Sequence, residues 1–137
     1  MRGAYSLPQK TTALGQFSVS FRAIAKASNN TAADDKERWV VPPHLDQATI
    51  KSIRFNTDTA GITGAQTCQL HNLTQAVDIM STNASIATTV KRDDGTTGVV
   101  NVANARVDAG DELRVDVDAI HSGTAAIGLT CQIEFDL

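Results

Sequence analysis

RVDAGDELRVDVDAIHSGTAAIGLTCQIEFDL, residues 106–137, holds two strict alternations of apolar and polar side chains separated by small residues. In the first, Val107, Leu113, Val115 and Val117 are apolar while Asp108, Arg114, Asp116 and Asp118 are polar. In the second, Leu129, Cys131, Ile133, Phe135 and Leu137 alternate with Thr130, Gln132, Glu134 and Asp136. Successive side chains of a strand point to opposite faces, so each run presents one apolar face to a core and one polar face to water. The segment 122–126, with Gly123 in it, reads as the turn between them. Asp108-Ala109-Gly110-Asp111 reads as a tight turn into the first strand, because glycine accepts positive φ and aspartate hydrogen-bonds its own backbone. The pattern predicts a C-terminal antiparallel hairpin in a sandwich.

Working outward, residues 16–25 repeat the alternation, with Phe17, Val19, Phe21 and Ala23 set against Ser18, Ser20 and Arg22. Residues 26–37 contain no apolar side chain larger than alanine and are expected to be a polar, mobile loop. A short strand over 38–42 carries the single tryptophan, Trp39, and stops at Pro42-Pro43, since proline cannot donate to a ladder. A strand follows over 48–56, where Ile50 is out of step with Ile53 and Phe55, which predicts a bulge or an end effect there. Further strands are expected over 65–73, 76–80, 86–90 and 99–102, with loops at 57–64 and 81–85 and a long polar turn at 91–98. The total is eight or nine short strands and no amphipathic helix, which is an all-β, antiparallel β-sandwich. Residues 1–15 show no period and read as an N-terminal arm on a single domain, 16–137.

A chain of 137 residues can bury about two-thirds of its unfolded surface, so no disulfide staple is required. No apolar run approaches the roughly 18 residues of a membrane span, and the start lacks the pattern of a signal peptide, so the protein is expected to be either intracellular or assembled inside a cell into something else. Net charge is −3, which argues against nucleic acid as the main partner. The charge is unevenly placed. Arg2, Lys10, Arg22 and Lys26 stand in the first 33 residues without one acid, and all 15 acidic side chains follow. A basic leader on an acidic body suggests attraction between subunits, with Arg2, Tyr5, Leu7 and Lys10 as candidate partner-binding residues.

Residues with chemical potential are few. Cys68 and His71 are three apart, so on a strand they face opposite ways and cannot form a nucleophile–base pair. Cys68 and Cys131 instead share apolar faces with leucine or isoleucine and are expected as buried free thiols. His44, His71 and His121 stand in separate segments, too scattered for a zinc site. Asp93-Asp94-Gly95 and Asp116-Val117-Asp118 offer oxygens to calcium without matching an EF-hand loop. Three Asn-X-Ser/Thr triplets, at Asn29, Asn72 and Asn83, are treated as coincidental. No P-loop, dinucleotide fingerprint or nucleophile elbow is present, so an enzyme is not expected. The four phenylalanines sit on apolar faces and are expected in the core. Trp39 is expected in the core first, but beside Arg38 and the proline bend it is the one aromatic whose position leaves room for partial exposure and for partner binding.

The order Trp39-Val40-Val41-Pro42, Ala48-Thr49-Ile50-Lys51-Ser52-Ile53, a turn at Gly61 and Gly64, then Asp108-Ala109-Gly110-Asp111-Glu112-Leu113 and Gly128-Leu129-Thr130-Cys131 resembles jelly-roll-type β-sandwich structural proteins of tailed bacteriophages. The resemblance covers about residues 38–137. It implies a capsid decoration (cement) protein on the virion surface, made in the host cytoplasm. Its partners would be the major capsid protein and further copies of itself in a trimer, without nucleic acid, membrane or cofactor. The alternative it leaves is a receptor- or glycan-binding module of a phage tail or fibre.

Overall fold

The computed structural model describes residues 15–137. Among these the regular structure is β, with two short 3-10 turns at Pro43–Leu45 and Val102–Asn104. One sheet has the order β1 (Gln16–Asn29), β10 (Ile127–Asp136), β3 (Thr49–Asn56). The facing sheet has the order β2 (Ala33–Val40), β9 (Glu112–Ala119), β4 (Gln66–Asn72), β5 (Val77–Asp78), with β7 (Ala84–Ile86) also on β4. A small ribbon of β6 (Met80–Thr82) and β8 (Val99–Val100) completes the set. All pairings are antiparallel.

The chain folds as a doubled ribbon wrapped around one core. β1 pairs with β10 in the first sheet and β2 with β9 in the second. β3 is bridged by residues 92 and 106 in the first, and β4 pairs with β5 and β7 in the second. This alternation between sheets is the strand order of a jelly roll.

The last two strands therefore do not form a hairpin. β9 and β10 lie in opposite sheets, with their apolar faces turned toward one another across the core. The alternation itself holds: Leu113, Val115, Val117, Leu129, Cys131, Ile133 and Phe135 are all buried. What differs is the connection. Residues 120–126 exceed a tight hairpin loop, and their backbone groups bond to the 57–64 loop, with Ile62 N–H donating to Thr124 O at 2.8 Å and Ser122 N–H to Thr63 O at 2.9 Å. The crossing needs Gly61, because a Cβ there would overlap the buried His121 ring.

Residues 26–37 are not a loop but the end of β1 and most of β2. Residues 25–29 and 33–35 are exposed, so the one-sided burial that creates an alternating pattern is absent while the backbone still pairs. The expected strand 86–90 is displaced to Ala84–Ile86, and the expected 81–85 loop is largely strand. Thr89, with φ 64°, lies in the turn that follows. The bulge near Ile50 is present: Glu134 faces Ser52 and Phe135 faces Ile50, leaving Lys51 as the extra residue. It brings Ile50, Ile53 and Phe55 to the core together.

Both outer edges of the β3–β4 side are covered. Thr57 N–H donates to Lys91 O at 2.6 Å and Ile50 N–H to Ala105 O at 2.8 Å along β3, while β5 and β7 cover β4. On the other side, β1 and β2 end their sheets without a strand partner among the described residues.

Candidate partner-binding site

The uncovered edges of β1 and β2 meet in an aromatic seam. Phe17, Val19 and Phe21 face Phe135, Ile133 and Cys131 in register, so they share the inward face of β1. Trp39 faces Leu113 on β2 and likewise points inward. The Phe21 and Trp39 rings are nearly parallel with centroids 6.3 Å apart, Trp39 lies 5.8 Å from Phe135, and Phe17 meets His44 edge-on at 5.1 Å. Trp39 and Phe21 are half-buried, and Phe17 is 36% exposed rather than in the core. The cause is topological: β1 and β2 terminate their sheets, so among the described residues no further strand closes over the seam. Arg2, Tyr5, Leu7 and Lys10 lie outside the described residues.

Along this seam, β1 is regular from Gln16 to Arg22, opposite Asp136 to Thr130. Its irregularities begin only after Arg22. Six of these seven residues are uncharged, and Arg22 is held by Asp58 at 2.6 Å. β2 is defended differently, by charges: Arg38 binds Asp35 at 2.8 Å, and Arg114 of the neighbouring strand binds Asp116 at 2.7 Å. Flat, uncharged edges invite another strand, and proteins ordinarily blunt them.

The cysteines are placed as the alternation predicts. Both are fully buried and free, on opposite sheets. Burial pushes Cys68 up to about 12, against a smaller opposing effect of Gln66, whose Nε2 donates to Sγ. Cys131 is also raised well above its ordinary value, by burial first and then by Cys68 and Asp93. Thiolate is the reactive form. Both thiols will therefore react slowly with a thiol reagent in the folded protein and rapidly in denaturant. Non-reducing mass spectrometry that found a Cys68–Cys131 bond would refute this.

The remaining candidates are spread through the fold. His71 Nδ1 lies 2.7 Å from Asp78 Oδ1 on the opposite face from buried Cys68. His121 is buried, with Nε2 3.2 Å from Ala87 O and Nδ1 unpartnered among the described residues. Asn72 is buried and donates to Asp111, which leaves no room for a glycan at that triplet. Among the described residues no group of three or more His, Cys, Asp or Glu converges as a metal site.

The two acidic pairs serve the fold. Asp116 binds Arg114, and Asp118 accepts from Asn83 Nδ2 at 2.5 Å. Asp94 Oδ1 accepts from the backbone N–H groups of Thr96 and Thr97, both at 2.8 Å, and from the Thr97 hydroxyl at 2.9 Å. Those bonds, Thr96 N–H first, hold its carboxyl at about 2. A carboxyl lowered on folding from its ordinary value of about 4 adds stability above pH ~4, and that stability is lost as pH falls toward 2. Arg38 lowers Asp35 and Arg22 lowers Asp58 in the same direction, each first through a side-chain hydrogen bond. We expect an NMR titration to place the Asp94 midpoint about two units below a free aspartate. An ordinary midpoint would mean that the turn is not capped.

A further feature joins residues that are distant in sequence. Arg54, Lys91 and Arg92, from β3 and the 91–98 turn, line a cleft of about 400 Å³. The adjacent Lys91-Arg92 pair was the available signal, but nothing local joins it to Arg54. No protein-family model, characterised protein or solved structure matches this chain.

Proposed function

We propose that this protein is a non-enzymatic structural component of a bacteriophage virion that decorates the capsid, attaching through the β1–β2 edge. The observation that carries the reading is the regular, mostly uncharged run of β1, without a further strand partner among the described residues, beside the half-exposed Phe17, Phe21 and Trp39. Strand addition at such an edge supplies main-chain hydrogen bonds, and the seam supplies apolar pockets for alternate side chains. The resemblance of residues 38–137 to phage decoration proteins and the jelly-roll strand order support the assignment, although a fold by itself does not determine function.

The partners are the major capsid protein and further copies of the chain, as a trimer. A multivalent protein that touches several capsid subunits gains effective concentration at each further contact, so weak patches sum to firm attachment. The basic leader provides attraction to an acidic surface, including the body of a neighbouring copy.

Removing residues 1–14, while keeping Gly15, whose carbonyl accepts from Leu137 N–H, tests the mechanism. The melting temperature will stay nearly unchanged, and attachment to capsids stripped of the protein will weaken. Attachment by the full chain will also weaken with salt, since exposed charges are screened over about 8–10 Å near physiological ionic strength. Equal attachment by both forms would remove the leader from the mechanism. Copy number tests the assignment itself: many copies on filled capsids support it. A few copies on tails would favour the receptor- or glycan-binding alternative.

A further inference from the structure

The outer face of the first sheet ends in the basic cleft beside β3. Gln132 of β10 faces Arg54 of β3 in register, and Phe55, Asn56, Thr57, Lys91 and Arg92 complete the lining. Arg54 is held in place: its Nε donates to Asp93 Oδ1 at 2.5 Å and its Nη2 to the Asp93 carbonyl at 3.1 Å. Asp93, 2% exposed, is itself fixed by the N–H groups of Phe55 at 2.6 Å and Gly95 at 3.1 Å. The guanidinium lies against Gly95, where a Cβ would stand 3.3 Å from Nη1. Nη1 makes no hydrogen bond among the described residues. Lys91 and Arg92 form no ion pair among the described residues either, whereas Arg54 is paired with Asp93 through Nε.

A chain of net charge −3 thus gathers three cations around one concavity whose lining holds no carboxylate, and Asp93, which holds Arg54 from behind, is already satisfied. We propose that this cleft binds an acidic sugar. The sugar's carboxylate or sulfate sits between Arg54 Nη1, Lys91 and Arg92, and its hydroxyls meet the Asn56 and Gln132 amides and the Thr57 hydroxyl. Charge-assisted bonds to a fixed guanidinium give directional recognition of such an anion. The volume falls at the lower end of ligand-sized pockets, which is room for a sugar ring rather than a bare ion. The cations are confined to one cleft instead of forming the extended track that a nucleic-acid backbone requires. The proposal is independent of whether the protein sits on a capsid or a tail.

The test is a ¹⁵N NMR titration of the full chain with glucuronate, glucose 6-sulfate, glucose, inorganic sulfate and phosphate. Glucuronate or glucose 6-sulfate will move the Arg54 Nε–H and the backbone amides of Asn56, Thr57, Arg92 and Gly95 in a saturable way, while glucose will not. The double variant Lys91→Gln/Arg92→Gln, both exposed positions, will keep the wild-type melting temperature and weaken binding by about tenfold or more. No saturable shift with either acidic sugar, shifts confined to other residues, an equal response to glucose, or unchanged affinity in the double variant would overturn the proposal. Sulfate or phosphate binding at these amides as tightly as the acidic sugars would overturn the sugar assignment and leave a simple oxyanion site.

Discussion

Phe135→Ala will destabilise the protein by about 3–5 kcal/mol, the usual cost of emptying a buried phenylalanine site. For a domain of this size the melting temperature should fall by on the order of 10 °C or more. Phe135 is fully buried on β10, and its ring lies 5.8 Å from Trp39 on the facing sheet. The truncation therefore removes contacts within one sheet and between the two. Its neighbour Glu134 is on the outer face and, among the described residues, is linked only to the Ser52 hydroxyl at 3.4 Å, so Glu134→Ala will stay within about 0.5 kcal/mol. Denaturant unfolding of both variants gives the comparison, and equal effects would mean that the faces of β10 are reversed. A double-mutant cycle of Phe135→Ala with Trp39→Ala should show coupling of about 0.5–1.5 kcal/mol, as aromatic pairs do. Zero coupling would place β2 and β10 out of contact.

The second large effect is expected at Asp93, which anchors the 91–98 turn to β3. Asp93→Ala removes the acceptor for the buried Phe55 N–H, for Gly95 N–H and for Arg54 Nε. An orphaned buried donor costs about 1–3 kcal/mol, and bonds to a charged acceptor raise the total toward about 2–4 kcal/mol. Part of the Arg54 contribution is discounted because 45% of its side chain is in water. The loss should be local before it is global: the Phe55 amide will exchange with solvent much faster, and the turn will lose its fixed position over the cleft. Asp93→Ala with wild-type stability and unchanged Phe55 exchange would show that the turn is held by other contacts. The same variant is expected to weaken the acidic sugar, since it releases the guanidinium that Asp93 orients.

Local pattern determined a great deal here. The inward faces of 107–117 and 129–137, the bulge near Ile50, the opposite orientation of Cys68 and His71, and the burial of both thiols all follow from the two-residue period of a strand with one side in a core. That period is carried by adjacent residues, so it is legible without knowing any partner strand. It fades where a strand is exposed on both faces, which is why the end of β1 and the start of β2 read as loop. Tertiary structure alone decided which strands meet. An alternating strand presents the same face to a hairpin neighbour or to a facing sheet, so 107–117 and 129–137 are equally compatible with both arrangements. The crossing was settled by hydrogen bonds between residues 120–126 and 57–64, distant in sequence. The same holds for the sites. The aromatic seam exists because the last strands of two different sheets lie side by side, and the basic cleft because residues 54, 91, 92 and 132 converge on one sheet edge. Neither arrangement is written in any single stretch of the chain.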